Sequence, residues 1–561
     1  MYQAIYYCKE EYKYFLRDSV EGWTDFKYTP TCYVNDYKGE YLTLDGKTVS
    51  PTKKYDWRDP NVYEKDISRE LVLLRDLYYE EDEPPQHNLI YLDIECEIGG
   101  ALTPENIRLA GNKITALALY DNNSKKYTCF ILDEAGLLKT QTIEGNREIV
   151  AYTNEEDLLD AFLNEWENLD PTIVSTWNGG YFDIPYLYHR IKNVLGEFSA
   201  KRLSPIGKIR ISDYALDVNP VKIGGVNHLD YMQLFKKFIS KQETSYKLGD
   251  IGDKYVKLGK LEYHGSLDKL FKEDINKFIE YNLRDVEILV ALEEKMKFID
   301  LALIICHLCH VEYESVYLAT VLNEGRILTY LKRKGIVSVN KPTTLNPALR
   351  NRTDEESKYA GGFVLDPKVG LHHYVFDCDA ASLYPTIMMS LNMSPETLIG
   401  RIIVNDIFDC WWSLEELKEK PKDQVVKVES INGKVKKITV SELIEYIESN
   451  NLSISANGVM FRTDEKGVIP EVLEDGFARR QEFKKEMKLA GKKGDWETYK
   501  RLDLKQHSFK ILINSLYGAM SLPSFRFTDG KLFISSAITL TGQRLIQESI
   551  KFINSEIKLE I

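Results

Sequence analysis

Carboxylate side chains stand at short, regular spacings in several parts of the chain, and residues 374–392 combine them with a change of sequence period. Asp377 and Asp379 alternate with apolar residues, which predicts a strand that turns two carboxylates to one face. The next residues predict a helix, because Ser382 can cap it and Pro385 is tolerated in a first turn. A carboxylate at a strand end, followed directly by a helix start, can hold a divalent cation against a phosphate.

Further carboxylates precede this stretch in three separate segments. Asp93 and Glu95 share one face of the strand predicted in LIYLDIECEIGG, about 6.6 Å apart along the backbone. Asp183 stands at a predicted helix entrance, after a β-branched strand and two glycines. Tyr281 and Asp285 fall at i,i+4 on one face of a predicted helix. Paired carboxylates of this kind can jointly hold metal ions, which predicts chemistry on a phosphate.

Basic residues recur every four positions on a predicted helix near the end of the chain, at Arg480, Lys484 and Lys488. A helical face with guanidinium and ammonium groups suits a triphosphate. Residues 479–510 contain eleven Lys or Arg and five Asp or Glu, a local net charge of +6, although the whole chain carries −13. The alternatives are a solvated helix face and a local basic surface for nucleic acid.

The composition predicts an ordinary globular protein: 561 residues, 43% hydrophobic and 28% charged, suggest three or four domains. No apolar run approaches the ~18 residues that span a bilayer, and the N-terminus lacks the plan of a signal peptide, so we expect no membrane and a cytoplasmic location. Eight scattered cysteines then predict reduced thiols. The C-x-x-C-H string at 306–310 could suggest haem or zinc, but its apolar surroundings favour a core helix.

The motifs and their order resemble known families. D-x-E, N-x-x-x-F-D and Y-x-x-x-D, in this order, resemble the three motifs of the DnaQ-like 3′–5′ exonucleases. D-x-x-S-L-Y-P resembles motif A of the family B DNA polymerases, and K-x-x-x-N-S-x-Y-G resembles motif B. NMSPET at 392–397 resembles the replicative polymerases of tailed, T-even-like bacteriophages. The chain is therefore similar, over nearly its whole length, to the N-terminal portion of such a polymerase.

This resemblance implies a role for each matched residue. Each active site would use two Mg²⁺ or Mn²⁺ ions, and the exonuclease ligands would be Asp93, Glu95, Asp183 and Asp285. Tyr281 would orient the attacking water, Asp379 would bind both metal ions of the polymerase site, and the Ala380 carbonyl would bind one. The other matches would bind the nucleotide (Ser382, Leu383, Tyr384, Arg480, Lys484, Lys510 and Asn514) or DNA (Tyr359, Gly361, Gly362, Tyr517 and Gly518).

The resemblance also implies an α/β and α+β multidomain fold. The implied parts are an N-terminal mixed domain (1–86, rejoined by 300–357), an RNase H-like 3′–5′ exonuclease domain (87–299), a palm (358–460, continuing at 526–561) and helical fingers (461–525). Residues 208–227 match the place of a β-hairpin that helps part primer from template. Residues 401–452 are charged and are expected to be irregular, with no recognisable chemistry.

The second metal-binding aspartate of family B, usually found in a D-T-D string, has no match after Gly518, and a thumb is also missing. We therefore expect a split or truncated DNA-directed DNA polymerase. It would add dNTPs to primer–template DNA only with a C-terminal polypeptide that carries motif C and the thumb and also recruits the sliding clamp. Asp377 could in principle be the second ligand, but residues of one strand are separated along it, whereas the family joins its aspartates from adjacent strands.

Two other functions are open to this sequence, a stand-alone 3′–5′ exonuclease and a non-catalytic DNA-binding scaffold. The complete set of exonuclease carboxylates opposes the scaffold. Motifs A and B oppose a pure exonuclease, because a nuclease gains nothing from a triphosphate-binding helix.

Overall fold

A computed structural model describes residues 1–97, 103–213, 219–239, 241–345, 361–373, 375, 377–403 and 413–556. The strands are β1 Tyr2–Cys8, β2 Lys13–Asp18, β3 Gly22–Phe26, β4 Cys32–Asn35, β5 Tyr41–Thr43, β6 Thr48–Thr52, β7 Val62–Tyr63, β8 Leu89–Cys96, β9 Ile114–Asp121, β10 Lys126–Leu132, β11 Gln141–Glu144, β12 Arg147–Tyr152, β13 Ile173–Ser175, β14 Ile209–Ile211, β15 Val221–Ile223, β16 Asn227–His228, β17 Ile336–Val337, β18 Leu398–Ile403, β19 Val425–Ser430, β20 Val435–Thr439, β21 Leu452–Ile454 and β22 Val459–Arg462.

The α-helices are α1 Arg69–Tyr78, α2 Pro104–Leu109, α3 Glu155–Leu169, α4 Asp183–Leu195, α5 Glu197–Ala200, α6 Tyr231–Phe238, α7 Leu248–Val256, α8 Leu267–Glu273, α9 Ile275–Met296, α10 Phe298–Cys309, α11 Ala319–Arg333, α12 Pro342–Leu345, α13 Leu383–Ser390, α14 Leu414–Glu419, α15 Val440–Ser449, α16 Val468–Lys493, α17 Trp496–Met520 and α18 Phe533–Glu556. Two 3₁₀ helices span Lys201–Leu203 and Tyr313–Tyr317.

The fold divides into two compact units, each built from two segments of the chain. The first unit comprises residues 1–29 and 76–317, and the second comprises 30–75 and 318–561. The predicted N-terminal domain, residues 1–86, is thus shared between the units, and residues 318–345 fold with 30–75 through the parallel pairing of β17 with β5. The finer domain boundaries remain predictions.

The first unit is built on a seven-stranded mixed sheet in the order β11-β12-β10-β9-β8-β13-β16. Strands β8 and β9 are rich in apolar residues and bury both of their faces, as expected for central strands of a sheet covered on two sides. Helices α3 and α4 share one apolar core with β8–β10, whereas α9 packs on the same three strands. The predicted strand at Asp93 and the predicted helices at Asp183 and Asp285 are confirmed.

Two smaller predictions in this unit are also confirmed. β14 and β15 pair antiparallel as a hairpin within residues 208–227. Cys306, His307 and Cys309 are buried in α10, a core helix rather than an exposed metal site. The cysteines within the described ranges form no disulfide. In those same ranges, no helix combines the length and apolar character required to cross a bilayer.

The second unit contains two five-stranded sheets and a set of long helices. One sheet has the order β17-β5-β6-β4-β7, and the other has the order β20-β19-β18-β22-β21. The second sheet packs on α14 and α15 around a buried apolar core, so the prediction that residues 401–452 are irregular is wrong over the part described. These short strands contain many lysines, which hide the alternation of their apolar residues in the sequence. The apolar residues lie on the one face of the sheet that packs on α15.

The two helices that carry the basic residues and motif B are formed as predicted, whereas their assignment as fingers stays a prediction. α16 and α17 pack side by side as a helical hairpin, and they are joined at Gly494, whose φ of +73° suits glycine. The last described helix is α18, within residues 526–561.

The predicted strand at Asp377 and Asp379 is not formed. Residues 377–380 have no strand partner among the described residues, and both carboxylates are exposed. An isolated extended segment leaves its backbone groups to water, so alternation of side chains alone does not make a strand. Ser382 also does not cap α13 with its side chain; it adopts a left-handed conformation with φ of +53°.

Candidate functional site

The structure brings three of the predicted carboxylates together at the centre of the first unit. Oxygen atoms of Asp93, Glu95 and Asp285 all lie within 4.8 Å of one another. Asp93 and Glu95 stand on β8 opposite Ala118 and Ala116 of β9, small side chains that leave room beside the carboxylates. Asp285 reaches them from α9, which crosses the sheet at this point. Segments almost 200 residues apart thus build one acidic cluster.

Asp183 lies beside this cluster but is held by the backbone of β8. Its Oδ1 accepts a hydrogen bond of 3.2 Å from the Ile94 amide. The turn before it is tight, because a Cβ on Gly179 would stand 2.2 Å from Thr176 Oγ1. Asp230 accepts from two amides of this turn and so holds it in place. The N-x-x-x-F-D spacing therefore places a carboxylate at the start of α4, next to the strand that carries the other ligands.

Burial and mutual repulsion make this group of carboxylates hard to ionise. Burial, followed by the charge of Asp285, raises the pKa of Glu95 to about 8. Burial also raises the pKa of Asp183 to about 7, and raises that of Asp93 well above its usual range. A divalent cation would relieve this repulsion. Asp285 Oδ1 is buried without a hydrogen-bond partner within the described residues, so the donor set fits a hard divalent cation such as Mg²⁺ or Mn²⁺.

Lys260 is a member of this site that the sequence did not indicate. Its ammonium forms an ion pair with Asp285 and donates a 3.2 Å hydrogen bond to the Tyr281 hydroxyl. Burial lowers the pKa of Lys260, but Asp285 and Asp93 outweigh this effect and raise it, so Lys260 is a cation. Burial raises the pKa of Tyr281 to about 12, so this phenol remains a donor. Lys260 lies in an irregular loop. Neither the periodicity of the sequence nor the spacing of a motif identifies a functional residue there.

In the second unit, Tyr384 of motif A packs against Tyr517 of motif B, with ring centroids 4.6 Å apart. Gly542 of α18 lies under the Tyr384 ring, because a Cβ there would stand 2.8 Å from Tyr384 Cε1. Gln543 Nε2 donates to the Gly361 carbonyl at 2.6 Å. The aromatic pair, α18 and Gly361 therefore form one neighbourhood. Tyr359, which is also predicted to bind DNA, lies outside the described residues.

The basic residues of α16 and α17 lie close to one another. Arg480 lowers the pKa of Lys484, with smaller effects of burial, Lys488 and Lys510, which shows that these cations from α16 and α17 share one region. Arg480 also donates through Nε to Gln506 Oε1 at 3.3 Å. Asn514 and Gly518 lie exposed on α17. Cations that lie close enough to lower the pKa of Lys484 are arranged to receive an anion.

The NMSPET segment holds the start of α16. Asn392 Oδ1 accepts from the Gly467 amide at 2.9 Å, and Glu396 Oε1 accepts from the Val468 amide at 2.6 Å. Ser394 Oγ accepts from the Ile469 amide at 3.3 Å. These side chains satisfy amides at the start of α16 that the helix itself leaves without partners. The segment after motif A is thus tied to the helix that carries Arg480 and Lys484.

Asp379 and Ala380 are exposed and precede α13. Among the described residues, the one group of three or more acidic, histidine or cysteine side chains that could hold a metal is the cluster of the first unit, so Asp379 belongs to no such group. Ser382 and Leu383 stand at the start of α13. The roles assigned to all these residues stay predictions.

An acidic site on a mixed sheet, together with a helical hairpin that gathers cations, is typical of enzymes that act on phosphates with divalent metals. Residues 39–251 match the family model described as DNA polymerase family B, exonuclease domain, and residues 315–560 match the model described as DNA polymerase family B. The chain therefore belongs to DNA polymerase family B and includes its exonuclease domain.

Individual relatives agree with this assignment. The DNA-directed DNA polymerase of Escherichia phage RB69 is 30% identical over 447 residues, which cover 71% of this chain and 45% of that protein. The DNA-directed DNA polymerase of Enterobacteria phage T4 is 27% identical over 97% of this chain and 65% of that protein. The DNA polymerase delta catalytic subunit of Dictyostelium discoideum is 24% identical, over 84% of this chain and 39% of that protein. The chain thus spans less than two thirds of the length of each of these relatives.

Proposed function

We propose that this chain is a 3′–5′ exonuclease that removes nucleotides from DNA 3′ ends with Mg²⁺ or Mn²⁺, and that it is also the N-terminal part of a replicative DNA polymerase. The observation that carries the proposal is the joining of Asp93, Glu95 and Asp285 within 4.8 Å, with Asp183 alongside. The match to the exonuclease domain model over residues 39–251 supports it.

The four carboxylates would hold two metal ions, and Asp183 would be kept in place by its hydrogen bond from β8. When bound, the metal ions would supply a hydroxide nucleophile and stabilise the leaving 3′ oxygen. The Tyr281 hydroxyl would orient the attacking water. Lys260 would keep Tyr281 in position and reduce the negative charge that the DNA phosphate meets at Asp285.

Nucleotide addition is the second proposed activity. Arg480, Lys484 and Lys510 would bind the triphosphate of a dNTP, while Tyr384 on its Tyr517 support would lie under the sugar. Asp379 and the Ala380 carbonyl would bind metal on one side of the reacting phosphate. Two-metal transfer needs carboxylates on both sides, whereas Asp379 is exposed and, among the described residues, belongs to no group of three or more side chains that could hold a metal.

We therefore propose that synthesis on primer–template DNA requires a polypeptide that contributes a second aspartate and a thumb, and that a sliding clamp is recruited through that partner. The close relation in sequence to two phage polymerases favours action in the cytoplasm of a host cell.

The direction and cofactor of the exonuclease are tested with a 5′-labelled single-stranded oligonucleotide. We expect a ladder that shortens from the 3′ end in Mg²⁺, stops with EDTA, and stops when the last linkages are phosphorothioates. Digestion that begins at the 5′ end, or that continues in EDTA, would refute the exonuclease assignment.

Synthesis is tested by primer extension with this chain alone and with a candidate partner polypeptide. We expect extension only with the partner, and none when the chain carries Asp379→Asn. Extension by the chain alone would refute the need for a partner and would require a new role for Asp377.

A further inference from the structure

Asn282 is a fully buried amide next to the acidic cluster that the mechanism above does not use. It follows Tyr281 directly on α9, and its side chain has no exposure to solvent. Asparagine is a weak helix former, and a buried amide costs free energy unless its polar atoms find partners. Both ends of this amide do find partners.

The amide nitrogen of Asn282 faces Asp93. Its Nδ2 donates to Asp93 Oδ2 at 2.8 Å and lies 3.5 Å from the Asp93 backbone oxygen. The other end of the amide faces strand β10, where Cys129 Sγ lies 3.9 Å from Asn282 Oδ1. The Asp93 carboxylate, which only accepts, fixes which way the amide points, and the weaker thiol contact is compatible with that orientation.

This contact sets how Asp93 can act as a ligand. One carboxylate oxygen of Asp93 is engaged by the Asn282 amide, so the carboxylate cannot turn freely about its own axis. Hydrogen bonds of this kind orient metal ligands and typically change metal affinity by about 10- to 100-fold. Tyr281, Asn282 and Asp285 therefore act on one site from a single stretch of α9.

We propose that Asn282 is a positioning residue that holds the Asp93 carboxylate in the orientation required to bind the divalent metal ions of the exonuclease site. This inference rests on the proposed exonuclease function and extends it to a residue that touches neither DNA nor metal. Asn282 acts through Asp93. Its removal should therefore weaken metal binding directly and slow DNA digestion only as a result.

The direct test is calorimetric titration of the full chain with Mn²⁺, in the absence of DNA. We expect Asn282→Leu, which has the same branched outline but no donor, to weaken Mn²⁺ binding by about 10- to 100-fold. Cys129→Ala is the matched control, because it removes the contact at the other end of the amide and leaves the bond to Asp93; its Mn²⁺ affinity should equal that of the parent. The Mg²⁺ concentration for half-maximal DNA digestion should rise in Asn282→Leu and stay constant in Cys129→Ala.

The outcomes separate this inference from the exonuclease assignment. If parent and Asn282→Leu bind Mn²⁺ equally and the parent digests DNA, the positioning role is wrong and the exonuclease stands. If the parent binds no Mn²⁺ and digests no DNA, both are wrong. Circular dichroism reports whether Asn282→Leu is folded; should it unfold, Asn282→Ala answers the same question, because alanine is a good helix former that cannot donate to Asp93, and it should weaken Mn²⁺ binding equally.

Discussion

Arg526 offers a sharp test of how the second unit is held together. Its side chain has no solvent exposure and donates to Asp66 Oδ1 at 2.6 Å, to the Val339 carbonyl at 2.8 Å and to Glu324 Oε1 at 3.0 Å. Burial lowers the pKa of Arg526, but Glu324 and Asp66 outweigh it and raise the pKa, so the guanidinium is charged. One buried cation thus joins the 30–75 segment, α11 and the residues after α17.

Arg526→Met leaves two buried carboxylates without their main counter-ion. Breaking a buried ion pair by removing one partner costs about 3–5 kcal/mol. Glu324 keeps a second cation, Lys341 Nζ at 2.9 Å, so we expect the lower end, about 3 kcal/mol. Adding Asp66→Asn and Glu324→Gln to Arg526→Met should recover part of this loss, because the uncompensated charges are then removed.

Hydrogen exchange of amides in α11 measures this loss within the second unit alone. A decrease of about 3 kcal/mol in opening free energy should speed exchange on the order of 100-fold. Lys466→Met is the control, since its ion pair with Glu474 at 2.7 Å is half exposed and contributes about 1 kcal/mol or less. An equal, small change in Arg526→Met and Lys466→Met would refute this account of the buried network.

Three further predictions concern the two sites and the core of the first unit. Lys260→Met should slow single-stranded DNA digestion at saturating Mg²⁺ by about tenfold, since a hydrogen bond to a charged group contributes roughly 1.5 kcal/mol; an unchanged rate would show that Lys260 has no part in the reaction. Tyr384→Ala should increase ribonucleotide incorporation by about tenfold once synthesis is reconstituted, because it removes the bulk under C2′; unchanged rejection of ribonucleotides would count against this role. Burial lowers the pKa of His307 to about 3, so below its unfolded pKa of about 6.5 the unfolded chain takes up a proton that the folded chain does not, and stability is lost as the pH falls. Between pH 6.5 and pH 5, the free energy of unfolding of the first unit, measured in urea, should fall by about 1.5 kcal/mol more in the parent than in His307→Gln. Equal decreases in the two proteins would contradict the buried, neutral state of His307.

Much of the acidic site could be predicted because its residues stand on regular elements. A strand period of two places Asp93 and Glu95 on one face, and a helix period places Tyr281 and Asp285 on another. Two glycines marked the tight turn before Asp183. Each of these patterns is common by itself, and the resemblance of their order to the exonuclease motifs selected these side chains, which the fold brings together.

Other features depend on contacts that no local pattern encodes. Lys260 reaches the site from a loop, so neither spacing nor period identified it. The strand expected at Asp379 needs a hydrogen-bonding partner, and alternation of side chains cannot supply one. The sheet within residues 398–462 was missed for the opposite reason: its strands are short and lysine-rich, and their pairing rather than their composition makes them regular.

The central claim is that the acidic cluster of the first unit is a metal-dependent 3′–5′ exonuclease site. The most direct measurement compares digestion of 5′-labelled single-stranded DNA in Mg²⁺ by the parent chain and by a variant with Asp93→Ala and Glu95→Ala. Glu144→Ala, an exposed carboxylate on the same sheet, is the control. We expect the parent and Glu144→Ala to digest at equal rates and the double variant to lose most of the activity. Digestion by the double variant at the parent rate would contradict the claim.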